Sequence, residues 1–506
     1  MRDHGLRKDG LRSTIRFVRR GRVVEVGDIR PTTTLLDWLR LVERATGTKE
    51  GCAEGDCGAC TIVLARLRDG RLVHEPVCAC ITLLGQVDGT EIITVEDLAK
   101  GGALHPVQDA LVRRHGSQCG FCTPGIVMSL FALYQDGARP AGREAVNEAL
   151  AGNLCRCTGY RPIVEAGIES CGGGGPADGF AATAKERAAA LLALEDGRDM
   201  FLGDEAGFLA SPVDESSLAS LLREHEDAVL VSGATDVGLW VTKELRPIPK
   251  LILLGRVRGL DTIEDDESTF TLGATVTHAR ARAPLTALDP DLGELVRRFG
   301  SAQVRASGTV GGNIANGSPI GDLAPAFIAL GAMLELRRGD EIRRLPLDEF
   351  FIAYRRQDLR PGEFVRRIEI DKLGPGDHFR CHKVAKRFDE DISAVMAAHR
   401  LRIEGGRVTA ARIAYGGMAA TPKRAPRAEE ALVGARLTER GEWQGALDAL
   451  SQDYAPLSDL RASAGYRMAV ARNLLVRTLA ELAVGTTAVT RLVGRRSGDE
   501  VLHAAE

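Results

Sequence analysis

The sequence predicts a multidomain α+β protein, and three observations support this prediction. Nine of the eleven cysteines lie in tight groups between Cys52 and Cys157. A run of glycines follows Cys171, and from about residue 205 short strand patterns alternate with helical patterns. The chain has 506 residues, of which 44% are hydrophobic, so it can bury several cores and has a length typical of about three domains.

The composition excludes some classes of partner. The formal net charge is -3, with 66 basic and 69 acidic side chains spread along the chain, so neither nucleic acid nor an anionic membrane is expected to bind. The first residues lack the apolar core of a signal peptide, and the longest apolar run, residues 323–334, is too short to span a bilayer. We therefore expect a cytoplasmic protein whose grouped cysteines bind metal rather than form disulfides.

The first cysteine group predicts a plant-type [2Fe–2S] site in a ferredoxin-like β-grasp domain over residues 13–95. Cys52, Cys57 and Cys60 have the C-x4-C-x2-C spacing of such sites. Glycines at 51, 55 and 58 permit loop conformations that a Cβ would obstruct. The flanking patterns are a hairpin over residues 14–26 and an amphipathic helix over residues 35–42. Zinc is the alternative metal, although tetrahedral zinc sites usually show two C-x2-C pairs.

The fourth ligand of this site is ambiguous from the residues alone. Cys78 and Cys80 lie two positions apart, on what should be one face of a strand. A [2Fe–2S] site with three thiolates on one loop needs only one more, so both cysteines are candidates.

The second cysteine group predicts another [2Fe–2S] site, in a helical bundle over residues 96–167. Cys119 and Cys122 form a C-x2-C pair at the start of one helical pattern, and Cys155 and Cys157 form a C-x-C pair after another. The C-x-C spacing is too tight for most zinc sites, so it favours an iron–sulfur cluster. The two helical patterns cover residues 123–134 and 143–150.

A predicted linker over residues 168–204 separates this region from two glycine-rich loops. Four consecutive glycines have no side chains to bury, so this segment is predicted to be a linker. The loops, residues 232–236 and 307–322, each present backbone N–H groups that can cradle an anion. The first loop is not G-x-G-x-x-G, so a Rossmann site is not supported. One such loop alone is more typical of an ordinary turn, whereas two such loops favour a dinucleotide-binding site.

Together these motifs resemble a known family. The three motifs are Gly-Cys-x4-Cys-Gly-Ala-Cys from Gly51, Gln-Cys-Gly-Phe-Cys-Thr-Pro-Gly from Gln118, and Asn-Leu-Cys-Arg-Cys-Thr-Gly-Tyr from Asn153. In this order they look like the two-cluster domains of the xanthine dehydrogenase and aldehyde oxidase family of molybdenum hydroxylases. The resemblance covers about residues 13–490.

The resemblance implies the ligands of both clusters. The family has Val-Asn-Ala-Cys where this chain has residues 77–80, which assigns the fourth ligand to Cys80 and leaves Cys78 as a spare buried thiol. The implied ligands are Cys52, Cys57, Cys60, Cys80, Cys119, Cys122, Cys155 and Cys157.

The resemblance also implies a non-Rossmann α+β FAD-binding domain over residues 205–385 and a C-terminal α+β subdomain over residues 386–490. In the family the first glycine-rich loop grips the pyrophosphate and the second wraps around the cofactor. Val365 replaces a common leucine and keeps an apolar contact. The implied flavin contacts are Leu230, Val231, Ser232, Gly233, Ala234, Thr235, Asp236, Val237, Phe299, Thr309, Val310, Gly311, Gly312, Asn313, Asp322, Val365 and Lys383.

The segment at residues 382–392 resembles the family's Lys-x-x-x-Arg-x-x-x-Asp-Ile sequence, and a solvated charged face is the alternative interpretation. Phe388 stands where a second arginine can occur in the family. Arg297 and Arg298 stand where animal relatives have an Arg-Trp pair. Both departures concern the implied nicotinamide site.

The resemblance implies an oxidoreductase that works with a partner. Clusters pass single electrons, FAD accepts one or two, and NAD+ accepts a hydride. No segment resembles the molybdopterin-binding domains, so the hydroxylating site is expected on a large subunit, in an α2β2 heterotetramer. Electrons are expected to pass from molybdenum to the helical-domain cluster, where Gln118 faces the pterin, then to the other cluster, FAD and NAD+. No residue of this chain is expected to be a catalytic acid or base.

The placement of cluster domains before a flavin domain on one chain favours xanthine dehydrogenase chemistry, the oxidation of hypoxanthine and xanthine to urate. Substrate choice lies on the partner, so the equivalent part of an aldehyde or N-heterocycle oxidoreductase is the alternative. A stand-alone flavin reductase or a redox-sensing adaptor is a third hypothesis from another class.

Overall fold

A computed structural model describes residues 10–137, 141–173 and 176–484. These residues form two units. Unit 1 comprises the described residues up to Asp261 together with Gly300–Thr309, and unit 2 comprises Thr262–Phe299 and the described residues from Val310 onward. The predicted end of the last subdomain, at residue 490, lies outside the described residues.

Unit 1 begins with a mixed five-stranded sheet in the order β2-β1-β5-β3-β4, in which β1 and β5 are parallel and the other neighbours are antiparallel. The predicted hairpin is present as β1 and β2. The predicted helix is a short α1, capped by the Thr34 hydroxyl, that continues as a π-turn through Trp38–Val42. The elements are β1 (Ile15–Arg19), β2 (Arg22–Val26), α1 (Leu35–Asp37), β3 (Thr61–Arg68), β4 (Arg71–Cys78) and β5 (Glu91–Ile93).

Four helices of unit 1 pack around a buried core that includes Leu130, Phe131 and Val146. The predicted helical patterns correspond to α3 and α4, and Gly137, with a φ of 53°, ends α3. The helices are α2 (Pro106–Arg113), α3 (Thr123–Asp136), α4 (Arg143–Leu150) and α5 (Arg161–Cys171).

The predicted linker is more structured than expected. Its last strand, β6, pairs with a strand beyond residue 205, and Leu191 of α7 packs on Val18 in a small buried cluster. The linker was predicted from the four consecutive glycines at residues 172–175, which carry no information about the helices and the strand that follow them. The elements are α6 (Gly179–Ala182), α7 (Ala184–Leu192) and β6 (Met200–Gly203).

A second sheet of unit 1 has the order β6-β7-β9-β8. The three strands β7, β9 and β8 are parallel, so their carboxyl ends share one edge, and β8 leads there into the first glycine-rich loop. The elements are β7 (Phe208–Ser211), α8 (Glu215–Glu224), β8 (Val229–Val231), α9 (Val237–Thr242) and β9 (Lys250–Leu253).

Unit 2 contains an antiparallel sheet in the order β10-β11-β16-β12-β13, with helices packed on it around a buried core. The elements in this stretch are β10 (Ile263–Asp265), β11 (Thr269–Gly273), α10 (His278–Leu288), α11 (Pro290–Arg297), α12 (Ala302–Ser307, in unit 1), α13 (Val310–Asn316), α14 (Leu323–Leu330), β12 (Met333–Arg338), β13 (Glu341–Pro346), α15 (Leu347–Phe350), β14 (Phe351–Ala353), β15 (Arg356–Gln357) and β16 (Phe364–Asp371).

The other sheet of unit 2 has the order β17-β18-β19-β20 and is covered by helices. The predicted domain boundary at residue 385 falls between the paired strands β17 and β18, so it divides one sheet. No helix in the described ranges is both long and apolar enough to cross a bilayer. The elements are β17 (Asp377–Val384), β18 (Val395–Glu404), β19 (Arg407–Gly416), β20 (Lys423–Arg424), α16 (Pro426–Leu432), α17 (Gln444–Asp453) and α18 (Ala464–Val484).

Candidate iron–sulfur and flavin sites

The first cysteine group forms two thiol pairs. Three of its thiols lie on the loop before β3, and Cys80 lies just after β4. The sulfur atoms of Cys60 and Cys80 are 3.3 Å apart, and Cys52 contacts Cys57. A [2Fe–2S] cluster takes four thiolates, two on each iron. The arrangement therefore fits such a cluster.

Cys80 is better placed than Cys78 to be the fourth ligand. The strand β4 ends at Cys78, where Thr82 closes a turn by donating to the Cys78 carbonyl, so the prediction that both cysteines lie on one strand is wrong. Cys80 contacts both Cys60 and Cys52. Cys78 also contacts Cys60, and its sulfur lies 3.5 Å from the Gly55 carbonyl oxygen. The contact with Cys52 distinguishes Cys80.

The backbone of the first loop is directed toward its sulfur atoms. The N–H groups of Glu54 and Cys57 each donate to Cys52 Sγ at 3.4 Å. A hydrogen bond from the Cys57 thiol lowers the pKa of Cys52, and the same contact raises the pKa of Cys57. Since the thiolate is the form that binds metal, this loop favours the metal-binding form of one candidate ligand, Cys52.

The second cysteine group also forms two thiol pairs. Cys119 contacts Cys157, and Cys122, which directly precedes α3, contacts Cys155. Burial raises the pKa of Cys122 to about 12. Thr158 lies with its hydroxyl oxygen 3.1 Å from Cys155 Sγ. The pair Cys119 and Cys157 is exposed, so one side of this group faces solvent.

The thiol pairs do not converge on single-metal positions. Within the described ranges, no three histidine, cysteine or carboxylate side chains meet at a point that could hold one ion. Each group instead supplies two pairs, which is the donor set of a binuclear cluster with all-cysteine ligation.

Hydrogen bonds join the two cysteine loops directly. The Leu154 N–H donates to the Cys57 carbonyl at 3.0 Å, and the Asn153 side chain donates to the Gly58 carbonyl at 3.1 Å. Gly58 has a φ of 68°, and a Cβ there would lie 2.1 Å from the Gly152 carbonyl oxygen. Glycine is therefore required at position 58. Through the Leu154–Cys57 hydrogen bond, the residue before Cys155 contacts a cysteine of the first group.

The first predicted pyrophosphate loop, in unit 1, fits a polar ligand. A Cβ on Gly233 would lie 2.1 Å from the Ser307 carbonyl oxygen, so only glycine permits this approach. The Ser232 hydroxyl oxygen is buried and has no hydrogen-bond partner in the described part of the chain. The backbone carbonyl of Ser232 accepts a hydrogen bond from the Gln86 side chain at 2.9 Å. Buried polar groups are usually paired, so this orphaned hydroxyl beside a glycine turn fits a contact with bound pyrophosphate.

In unit 2, two predicted flavin contacts form a buried ion pair. Lys383 Nζ lies 2.5 Å from Asp322 Oδ2. The Ser393 hydroxyl donates to the other oxygen of Asp322 at 2.5 Å. Sequence reasoning missed Ser393, although its position directly after the Asp-Ile of the family motif was a usable signal.

The first turn of α13 is the second candidate cofactor contact of unit 2. Val310 and Gly311 donate their N–H groups to the carbonyls of Val276 and Ala274 at 2.9 and 3.0 Å. The Thr275 hydroxyl and the Asn313 side-chain oxygen are buried without a partner in the described residues. Both fit contacts with a bound polar cofactor, and Thr275 was not predicted.

Two further predicted residues of unit 2, Phe299 and Val365, contact protein groups. The Phe299 ring packs on the His278 ring with centroids 4.2 Å apart, and His278 was not predicted. Val365 is buried in the apolar core at the start of β16.

Two buried arginines cover the Phe388 ring. The guanidinium groups of Arg297 and Arg298 lie 5.2 and 4.6 Å from its centroid. Arg297 binds Glu294 with two hydrogen bonds of 2.6 Å, and Arg298 donates to the carbonyls of Phe388 and Lys383. Burial lowers the pKa of Arg298. Cation–π and carbonyl contacts therefore hold Phe388, whereas Lys386 and Arg387 of the same segment are exposed, as the alternative of a solvated charged face expects.

Comparisons with known proteins match these sites in order. A [2Fe-2S] binding domain model matches residues 94–167, the model of the FAD binding domain in molybdopterin dehydrogenase matches residues 205–372, and the CO dehydrogenase flavoprotein C-terminal domain model matches residues 380–482. Xanthine dehydrogenase of Emericella nidulans is 32% identical over 87% of this chain and 36% of its own length. That of Drosophila pseudoobscura pseudoobscura is 35% identical over 80% of this chain and 34% of its own.

The chain belongs to the xanthine dehydrogenase family of molybdenum hydroxylases. It spans about a third of the length of these relatives and corresponds to the iron–sulfur and flavin portion of the family. The predictions of an oxidoreductase with [2Fe–2S] and FAD domains are confirmed.

Solved structures of other molybdenum hydroxylases resemble the chain in part. Carbon monoxide dehydrogenase from Hydrogenophaga pseudoflava has a TM-score of 0.51 and 28% identity, covering 53% of this chain and 94% of that one. Quinoline 2-oxidoreductase from Pseudomonas putida 86 has a TM-score of 0.50 and 26% identity, covering 54% and 96%. Several substrate classes therefore occur among proteins similar to this chain.

Removal of Lys383 is expected to destabilise unit 2. Lys383→Met leaves the Asp322 carboxylate buried without its cation, and breaking a buried pair in this way costs about 3–5 kcal/mol. Calorimetry of the full chain should show the unfolding transition of unit 2 at a lower temperature. Lys386→Met is the control, because Lys386 is exposed and its ammonium group donates to the Leu460 carbonyl. An equal effect of both substitutions would contradict the prediction.

Proposed function

We propose that this chain is the electron-transfer part of a xanthine dehydrogenase. It passes electrons from a molybdenum centre on a partner subunit through two [2Fe–2S] clusters to FAD and on to NAD+. When bound, the clusters carry single electrons and FAD exchanges one or two, which links them to a hydride acceptor. The observation that carries the proposal is the pair of four-thiol groups whose loops are joined by the Leu154–Cys57 hydrogen bond.

The chain's own residues hold the cofactors rather than act on substrate. Four cysteines of each group ligate one cluster, with Cys80 as the fourth ligand of the first. The loop at Gly233 offers backbone N–H groups and the Ser232 hydroxyl to the FAD pyrophosphate. Lys383 and Asp322 supply fixed opposite charges near the flavin, and the other flavin contacts implied by the family resemblance remain part of this proposal.

The exposed side of the second cysteine group is the proposed contact with the partner. Cys119 and Cys157 are exposed there, and the nearby Phe121 and Leu154 are 49% and 48% exposed. Exposed apolar side chains beside a redox site suit a protein interface. The proposed partner is a molybdopterin-binding large subunit in an α2β2 heterotetramer, with Gln118 directed toward the pterin.

A second candidate is the equivalent part of an aldehyde or N-heterocycle oxidoreductase. The structural similarity to quinoline 2-oxidoreductase favours this alternative. In both candidates the substrate binds the partner, so both use the same flavin and cluster residues of this chain.

The cofactor content gives the first test. The chain purified anaerobically is expected to hold about four iron atoms, four acid-labile sulfides and one FAD, because eight thiolates ligate two [2Fe–2S] clusters. Metal analysis, sulfide assay and flavin absorbance measure these quantities. Zinc in place of iron would reject the cluster assignment.

The partner and substrate need a separate test. Affinity purification of the chain from its native cells should recover a molybdopterin-binding subunit. The complex should then reduce NAD+ with xanthine, and a screen of aldehydes and N-heterocycles distinguishes the second candidate. A chain that oxidises NADH but recovers no such subunit would instead support a stand-alone flavin reductase or a redox-sensing adaptor.

A further inference from the structure

Gln303 lies where the two cysteine loops meet, and none of the roles assigned above includes it. It belongs to α12, in the segment of unit 1 that returns from a distant part of the sequence. Its side chain is almost fully buried, with 1% of the residue exposed. A buried amide needs hydrogen-bond partners, and those partners define its role.

The Gln303 amide nitrogen contacts elements that carry thiols of both groups. It lies 3.1 Å from Thr61 Oγ1, 3.0 Å from Ser129 Oγ and 3.2 Å from Asn153 Oδ1. Thr61 directly follows Cys60, Ser129 lies on α3 and Asn153 precedes Cys155 by two residues. One amide group therefore connects both cysteine groups.

The directions of these hydrogen bonds are determined. The Thr61 hydroxyl donates to the Gly58 carbonyl at 2.7 Å, and the Ser129 hydroxyl donates to Asn153 Oδ1 at 2.6 Å. Each hydroxyl has one proton, so both must accept from Gln303. The position requires two N–H donors on one nitrogen, which a glutamine amide supplies.

The surrounding backbone leaves little room for Gln303 to move. A Cβ on Gly152 would lie 2.3 Å from Gln303 Oε1. Gly152 precedes Asn153 and Leu154, whose hydrogen bonds to the Gly58 and Cys57 carbonyls join the two loops. In such close packing, the loss of one side chain shifts its neighbours. A change at Gln303 is therefore transmitted to the junction of the loops.

We propose that Gln303 is a positioning residue for electron transfer between the two clusters. It fixes the junction at which the ligand loop of one cluster contacts that of the other, and so sets the separation and orientation of the two clusters. Groups that hydrogen-bond to the surroundings of a metal site orient its ligands and tune it. The inference rests on the proposed function, because it requires both clusters to be present.

The test uses the full chain loaded with iron, sulfide and FAD under anaerobic conditions. Gln303→Leu keeps the approximate size of the side chain and removes both N–H donors. One electron is introduced by pulse radiolysis, and freeze-quenched EPR follows its distribution between the two cluster signals. We expect equilibration to slow about tenfold or more, because the loss of an outer partner of a metal site typically costs about 10- to 100-fold in metal affinity or activity, while iron content is retained.

Two further variants control for a general structural effect. Gln135→Leu removes a part-buried amide of unit 1 that donates to Asp178 at 2.6 Å, away from the cysteine loops, and should leave the rate unchanged. Thr61→Ser keeps the accepting hydroxyl and should also equilibrate at the wild-type rate.

The outcomes separate this inference from the proposed function. A Gln303→Leu chain with full iron content and wild-type equilibration would overturn the inference. If that variant loses iron, Ser129→Ala decides, because it keeps the Gln303 amide and removes one of its acceptors together with the donor to Asn153 Oδ1. Slower equilibration in Ser129→Ala with iron retained supports the inference, and a wild-type rate or a loss of iron in that variant overturns it. A wild-type chain without iron rejects the proposed function itself.

Discussion

Replacement of Cys119 by alanine is expected to abolish reduction of FAD by the partner's substrate and to leave reduction by NADH intact. Cys119 lies at the exposed side of the second cysteine group, in contact with Cys157. If this cluster is where electrons enter from the partner, its loss interrupts the only proposed route to the flavin. NADH delivers a hydride to FAD directly and needs no cluster.

The measurement is the flavin absorbance of the assembled complex after addition of xanthine or NADH without oxygen. Partner binding must be confirmed first, because a lost cluster takes folding free energy with it. Cys171→Ala is the matched control. Cys171 is a buried thiol at the end of α5, and its sulfur contacts the Leu130 carbonyl at 3.6 Å. The flavin of the Cys171→Ala complex should bleach with both reductants. Bleaching of the flavin of the Cys119→Ala complex by xanthine at the wild-type rate would refute the order of carriers.

Cys80→Ser is expected to remove the cluster of the first group, and Cys78→Ser is expected to leave both clusters. Cys80 contacts thiols of both pairs of the group, Cys60 and Cys52. A serine at position 80 leaves three thiolates for a site that requires four. Cys78 lies at the end of β4, beside the Gly55 carbonyl, where a serine hydroxyl can take the place of the thiol.

Iron analysis and EPR measure the result. Cys80→Ser should lose about two iron atoms and one of two EPR signals, because each [2Fe–2S] cluster contributes two irons. Cys78→Ser, two positions away, controls for damage to the turn. Loss of the signal in Cys78→Ser with its retention in Cys80→Ser would move the ligand to Cys78.

Many local features could be predicted from the sequence because they depend on neighbouring residues. The helical pattern at 143–150 has the bounds of α4, and the cysteine spacings placed the thiols on the correct loops. The glycines of the first loop were predicted from local backbone requirements, and Gly58 meets that prediction with a positive φ. The expectation that Cys78 and Cys80 share a strand was wrong, because the turn closed by Thr82 ends β4.

Other features depended on residues far apart in the chain. Strand β6 lies within the predicted linker because a four-residue strand has almost no sequence pattern of its own. It is stabilised by pairing with β7. Thr275 and His278 carry no local motif. They are noticed only in the structure, where the Thr275 hydroxyl is buried without a partner among the described residues and the His278 ring packs on Phe299. Ser393 follows the Asp-Ile of the family motif, but its hydrogen bond to Asp322 joins residues 71 positions apart.

By itself the sequence determined which chemistry this protein can support, since the type and spacing of cysteines select the cofactor within a few residues of chain. The tertiary structure alone decided how the sites are connected. Asn153 meets Gly58 across 95 residues, and Gln303 meets Thr61 across 242. Contacts over such separations arise from the packing of whole elements, so periodicity and propensity, which act over one or two turns, contain no information about them.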